Sequence, residues 1–200
     1  MKMYFFYGVT NASKTANALM KKFSFERCGK KVLLVKPSID SRDGEKIIKS
    51  RVGLSAEATV LSPGTTLAEK VPDLDTYDVI IADEAQFFTE KLIEELRVLA
   101  DMKHIVMCYG LKTDFRIRLF KGSKRLLELA DCIREIPTSC GCGKKAIFNT
   151  KVENDVVVKD GEQIDIGGDE KYIPMCPECY RVSFISGRSV RYLGKNILID

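Results

Sequence analysis

Three groups of residues carry types and spacings that could do chemistry. The first is Gly8-Val9-Thr10-Asn11-Ala12-Ser13-Lys14-Thr15. It follows the phosphate-loop pattern G-x-x-x-x-G-K-[ST], with Ser13 in place of the second glycine. In that pattern a tight turn aims successive backbone N–H groups at phosphate oxygens, and the positive end of the following helix adds to the attraction. Lys14 is placed to reach the β- and γ-phosphates of ATP, and Thr15 to hold magnesium. Glycine at position 13 would give close backbone approach and freedom in φ, and serine is the smallest polar substitute. The same eight residues would also suit a helix start capped by Ser13 with no nucleotide.

The second group is Asp83-Glu84-Ala85-Gln86-Phe87-Phe88, directly after the apolar run Tyr77-Asp78-Val79-Ile80-Ile81-Ala82. An acid at the carboxyl end of a strand neighbouring the phosphate loop can bind magnesium, which fits Asp83. Glu84 points another way and can accept a proton from an attacking hydroxyl. Two solvent-facing acids at a strand exit is the plainer alternative. The third group is Cys140-Gly141-Cys142 and Cys176-Pro177-Glu178-Cys179. Two tight pairs suit four thiolates around a structural zinc ion, which folds its module and does no chemistry. Cys28, Cys108 and Cys132 stand singly among apolar neighbours and read as core residues.

The elements that must position these groups alternate. Met3–Tyr7 reads as a buried strand, residues 14–25 as a helix with Ala16, Leu19, Met20 and Phe23 at helical spacing, and 31–35 as a second strand. A polar loop covers 38–53. Residues 77–82 form a third strand, 90–101 a helix, 104–109 a strand, 123–130 a helix and 132–136 a last short strand. Unbroken apolar strands between amphipathic helices imply an α/β fold with a parallel sheet covered on both faces. After Pro137 the chain turns to glycine, lysine, cysteine and short β-like runs, with no long helix pattern. This divides it into a P-loop ATP-binding domain over 1–137, a zinc-binding module over 138–182 and a tail over 183–200.

Composition narrows the function classes. Hydrophobic residues are 45% of 200, enough for a sizeable core, and 32 basic against 28 acidic residues leave +4. That charge is too small and dispersed to indicate a nucleic-acid partner. No apolar run approaches the roughly 18–20 residues of a membrane span, and the N-terminus lacks the form of a signal peptide. A cytoplasmic protein is expected, where clustered cysteines hold metal rather than disulfides.

Read together, these segments resemble the zinc-containing thymidine kinase family over about residues 3–180. Supporting strings are Asp83-Glu84-Ala85-Gln86-Phe87-Phe88, Cys108-Tyr109-Gly110-Leu111-Lys112-Thr113-Asp114-Phe115-Arg116 and Ile166-Gly167-Gly168-Asp169-Glu170-Lys171-Tyr172. Ser50-Arg51-Val52-Gly53-Leu54 and the C-x-C spacing are similar to the bacterial branch. The resemblance implies that residues 8–15 and the stretch Asp83, Glu84, Ala85 and Gln86 serve ATP, with Thr15 and Asp83 on magnesium. Glu84 becomes the general base toward the 5′-hydroxyl of thymidine, and Arg116 steadies the reaction centre. Leu111 and Phe115 wall the thymine pocket, with Phe87 and Phe88 nearby. Gly167 and Tyr172 belong to a lasso that closes over the nucleoside, its base held by zinc through Cys140, Cys142, Cys176 and Cys179. A homotetramer and feedback inhibition by thymidine triphosphate (dTTP) are implied as well. The chain departs from the family at Ser13, where the family has glycine, and at Ile117-Arg118, where it has Gly-Glu. A P-loop ATPase, with Glu84 activating water, and a nucleotide-binding or regulatory protein of this fold without turnover are the alternatives.

Overall fold

A computed structural model describes residues 2–41, 44, 46–153, 156–158, 160–161, 163, 171–186, 190–193 and 196–199. The chain forms two units, each built from separated stretches of sequence. One contains Met1–Tyr7, Ser13–Lys112 and Phe120–Ile136; the other contains Gly8–Ala12, Thr113–Leu119 and Pro137–Asp200.

The first unit is built on β1 (Met3–Tyr7), β2 (Val32–Pro37), β5 (Thr59–Leu61), β6 (Val79–Ala82), β7 (Ile105–Gly110) and β8 (Cys132–Glu135). They make a six-stranded sheet in the order β5-β2-β6-β7-β1-β8, and every pairing in it is parallel. Parallel strands need crossovers and are covered on both faces, which explains their unbroken hydrophobicity. Alternation divides the strands between two cores. Phe5, Leu33, Val35, Ile80, Val106 and Cys108 face one; Phe6, Leu34, Val79, Ile81, Met107 and Tyr109 face the other.

The first face is covered by α3 (Glu90–Met102) and α4 (Lys121–Leu129). Leu92, Ile93, Leu96, Leu99 and Ala100 recur at helical spacing and are buried. The Thr89 hydroxyl caps α3 by accepting from the Leu92 N–H at 3.2 Å. The second face is covered by α1 (Lys14–Arg27) through Ala18 and Leu19, with Ile48 of a small hairpin, β3 (Ile47–Lys49) and β4 (Ser55–Glu57). Each fully buried Leu or Ile contributes about 1.5–3 kcal/mol through loss of apolar surface to water.

Several elements differ from the sequence reading. The polar stretch 38–53 contains β3, and β5 extends the sheet beyond β2; at three residues each, neither is long enough to show a period. β7 lies between β1 and β6, so the acidic strand end is not on a direct neighbour of β1. Of the three single cysteines only Cys108 is buried; Cys28 is exposed just past α1 and Cys132 is half-buried on the edge strand. A short helix, α2 (Leu67–Lys70), completes this unit.

The second unit contains an antiparallel sheet of β9 (Phe148–Glu153), β10 (Val156–Val157) and β11 (Tyr172–Met175), followed by α5 (Pro177–Ser186). This helix was hidden in the sequence because its first turn is Pro-Glu-Cys. Proline is well suited to the first helical position, where its missing N–H costs nothing. The tail folds into a hairpin of β12 (Val190–Leu193) and β13 (Asn196–Ile199).

Candidate active site

In the sheet unit, the chain leaves the carboxyl ends of β1, β6 and β7 on one edge, as the registers Tyr7↔Gly110 and Ala82↔Cys108 require. Lys14 opens α1 and is nine-tenths buried. Asp83, just past β6, is 2% exposed, and its carboxylate meets the Thr15 hydroxyl. Burial pushes its carboxyl up to about 7, the charge of Glu84 adds to the rise, and Thr15 and Lys14 pull against it. Asp83 Oδ1 is buried without a hydrogen-bond partner among the described residues. A buried carboxylate oxygen with no donor, beside a hydroxyl oxygen, is a ligand set suited to a hydrated divalent cation, while the Lys14 ammonium suits an anion. Thr15 and Asp83 therefore fit magnesium.

Glu84 adopts φ 50 and opens a single 3-10 turn, Ala85–Phe87. Its Oε2 accepts from Gln86 Nε2, while Gln86 Oε1 accepts from the Leu111 N–H at 3.0 Å. Gln86 is 2% exposed, so this amide fixes the carboxylate and the segment after β7 together. Gly110 leaves room for this amide, because a Cβ there would lie 2.5 Å from Gln86 Oε1 and would displace it. Phe87 packs edge-on against Phe120, with ring centroids 5.6 Å apart, and Phe88 is buried in the core beneath α3 and α4.

Among the described residues, four non-glycines have positive φ: Asn11 (62), Ser13 (55), Glu84 (50) and Ile117 (62). All four lie in segments singled out for chemistry. Asparagine tolerates the left-handed region, but serine, glutamate and above all a β-branched isoleucine are held there against local preference. Such strain concentrates at functional sites. A glycine at 13 or 117, as the resemblance to the thymidine kinase family implies, would hold the same φ without strain. Ser13 forms no side-chain cap, so the reading of it as a helix-capping serine is replaced by that of a residue in a glycine conformation.

In the second unit, strand alternation on β9 sorts two tasks. Phe148 packs at a tilt against Tyr180, ring centroids 4.9 Å apart, and Val152 packs with Ile173 and Met175 against the cysteine cluster. Asn149 and Lys151 point the other way. Lys151 Nζ lies 5.5 Å from the Phe115 ring centroid and bonds Glu153 at 3.0 Å. Tyr172 is the register partner of Lys151, so the two share a face. Arg116 stacks its guanidinium 5.7 Å from the Phe115 ring and is held by Asp114, which also accepts from Arg116 N, Arg118 N and Gln163 Nε2. Phe115, Arg116 and Tyr172 thus fall in one neighbourhood of this unit. Gly167 lies outside the described residues.

The Sγ atoms of Cys140, Cys142, Cys176 and Cys179 all lie within 4.8 Å of one another. Tetrahedral zinc, with sulfurs at about 2.3 Å, separates them by about 3.8 Å, so the cluster fits. The Lys144 N–H pulls the Cys142 thiol down to about 7, while burial pushes Cys140 and Cys179 up. Three of the four are buried, and buried thiolates need a cation to offset their charge. Gly143, with φ 86, closes the first knuckle by donating its N–H to the Cys140 carbonyl.

The sequence model of the family described as "Thymidine kinase" matches residues 1–180. The chain belongs to the thymidine kinase family. It is 41% identical over 180 residues to the thymidine kinase of Zymomonas mobilis, a match covering 88% of this chain and 93% of that one. It is 40% identical over 183 residues to the thymidine kinase of Streptococcus pyogenes serotype M3, covering 90% and 96%. Among solved structures, the Pif1 helicase from Candida albicans superposes with a TM-score of 0.38 at 12% identity, over 68% of this chain and 36% of that one. That is too loose to add to the topology.

For a thymidine kinase family member, sequence reasoning missed Asn149, Lys151, Asp114 and Gln163. The first two sit in a strand too mixed in character to read as one; Asp114 bonds Arg116 and Arg118 close by in the chain, in a loop with no period to mark it, and Gln163 reaches Asp114 from 49 positions away. No helix among the described residues is long and apolar enough to cross a membrane.

Proposed function

We propose that the protein transfers the γ-phosphoryl group of ATP to the 5′-hydroxyl of thymidine, in the cytoplasm, giving thymidine monophosphate. The observation that carries this reading is the loop after β6. There a buried Asp83 meets Thr15, and next to it Glu84 is fixed by Gln86 in a left-handed turn. Residues 8–15 would take the ATP phosphates, with Lys14 on the β- and γ-phosphates, and Asp83, Glu84, Ala85 and Gln86 complete that side. Thr15 and Asp83 would hold magnesium, which when bound draws charge from the phosphates.

Glu84 accepts the proton of the 5′-hydroxyl as the oxygen attacks, and Arg116 offsets charge on the phosphoryl group. Leu111 and Phe115 flank the thymine ring, with Phe87 and Phe88 near it; Tyr172 and Gly167 belong to the segment that closes over the nucleoside and excludes water. Zinc on the four cysteines is structural. Homotetramer formation draws support from Met20 and Phe23, 54% and 65% exposed on α1, and from the open edge strand β8. Inhibition by thymidine triphosphate belongs to the same proposal.

The test is ADP formation by the zinc-loaded protein with magnesium and ATP, with and without thymidine. Thymidine-dependent turnover that falls about 100-fold or more in Glu84→Gln, with ATP binding retained, supports the kinase. Thymidine-independent ADP release would instead make it an ATPase. A second reading, a nucleotide-binding regulatory protein of this fold without turnover, rests on Ser13 and Ile117. Both residues adopt the φ that glycine would, so the backbone path survives the substitutions. That favours turnover.

A further inference from the structure

The first half of the phosphate loop, Gly8–Ala12, belongs to the unit that carries the cysteine cluster. Two contacts tie it there. Val9 packs against the apolar cluster formed by Ala146, Ile173, Met175 and the buried cysteines. The Thr10 N–H donates to Asn149 Oδ1 at 2.7 Å. The other end of the same amide, Asn149 Nδ2, donates to the Thr113 carbonyl at 2.8 Å. Asn149 is 4% exposed, so both bonds are made away from water.

The residue type is demanded by this arrangement. The acceptor must face one backbone and the donor another, over one short side chain. Aspartate has no donor and serine has one oxygen for both tasks, so an amide answers both. Asn149 sits on β9 opposite Pro174 of β11, and Cys176 follows Pro174 by two residues. A short route of strand pairing and hydrogen bonds therefore runs from the cysteine cluster to the backbone of the loop. One of the loop's N–H groups is already committed to this route, which sets the direction of its neighbours.

We propose that Asn149 is a positioning residue for ATP: it fixes the first half of the phosphate loop to the cysteine-held sheet, so that metal loading of the cluster preserves the loop's shape. The proposal rests on the kinase reading above for the loop's role.

The experiment uses the full chain loaded with zinc. Asn149→Ala and Asn149→Leu remove both bonds, the leucine filling the space that alanine leaves empty. The readouts are zinc per chain, KM for ATP and for thymidine, and the dissociation constant of a non-hydrolysable ATP analogue measured without thymidine. The expected result is an ATP KM and analogue dissociation constant raised about 5- to 100-fold, from a lost hydrogen bond with its buried donor left unmet. Zinc content should stay at the wild-type value and thymidine KM within about twofold.

Unchanged ATP affinity in a zinc-loaded variant overturns the proposal. So does an equal rise in both KM values, which marks a general structural role, and so does loss of zinc in both variants, which makes Asn149 a folding residue. If the wild-type protein shows no thymidine-dependent turnover, the kinase reading fails separately, and analogue binding still reports on Asn149.

Discussion

Asp83 should destabilise the magnesium-free protein at neutral and alkaline pH, and Asp83→Asn should relieve that cost. The carboxyl is 2% exposed, one oxygen meets Thr15, and the other has no partner among the described residues. Its pKa rises from 3.8 to about 7, chiefly by burial. A raised acid binds its proton more tightly in the folded state. Its contribution is therefore fully present below pH 3.8 and is lost as the pH climbs through 7. At about 1.4 kcal/mol per pH unit, the loss by pH 8 is about 4 kcal/mol. Asparagine cannot ionise, but its NH2 group must find a partner where Oδ1 has none, at a cost of about 1–3 kcal/mol.

The net expectation is that D83N exceeds the wild type by about 1–3 kcal/mol at pH 8 and is equal or less stable at pH 5. In a chain of this size that is roughly 2–10 °C in Tm. Urea and thermal unfolding from pH 5 to 8 would measure it, in magnesium-free buffer without chelators that would strip the cysteine cluster. Added magnesium should narrow the gap by stabilising the wild type alone. Stabilities that run parallel from pH 5 to 8 would refute the reasoning, because a carboxylate already ionised at pH 5 carries no such penalty.

Two further outcomes follow from backbone strain and from the metal. Ile117→Gly should stabilise the protein by about 1–2 kcal/mol, since a β-branched residue at φ 62 gives way to one without a Cβ. Ser13→Gly should give about 1 kcal/mol or less, with ATP affinity maintained or improved; denaturant midpoints at constant slope would check both, and destabilisation at 117 would exclude left-handed strain there. Metal analysis should find about one zinc per chain, lost in Cys176→Ser, and with it the protection of β9 and β11 from hydrogen exchange, while the six-stranded sheet keeps its protection.

What could be read from sequence was what is local. The phosphate loop, the acids after β6 and the cysteine pairs are contiguous or closely spaced, so the sequence alone groups them as candidate sites. Helices α1 and α3 run 14 and 13 residues, long enough for a period to show. Strands β3 and β5 have three residues each, and α5 begins with Pro-Glu-Cys, a proline and one cysteine ligand that mask its pattern. Asn149 could not be read at all. Its two partners are 139 and 36 positions away, and an asparagine in a mixed strand looks like any polar residue.

The substitutions at 13 and 117 show a different limit. From sequence they look like damage to a pattern of glycines, an argument for lost turnover. In the structure each residue holds a left-handed φ, so what the chain lost is conformational ease rather than the path of its backbone. Strain of about 1–2 kcal/mol at a site is small beside the stability of a domain. A folded chain carries it without rearrangement provided the rest of the structure fixes the loop. The second unit supplies such a fixture on the phosphate-loop side, where the backbone of Thr10 is bonded to Asn149 and Val9 is packed against the cysteine cluster. On the other side, Asp114 accepts from the N–H groups of both Arg116 and Arg118 and so brackets Ile117 from either flank. Strain and fixture occur together in both loops, so the contacts that hold each loop also offset the cost of its left-handed residue.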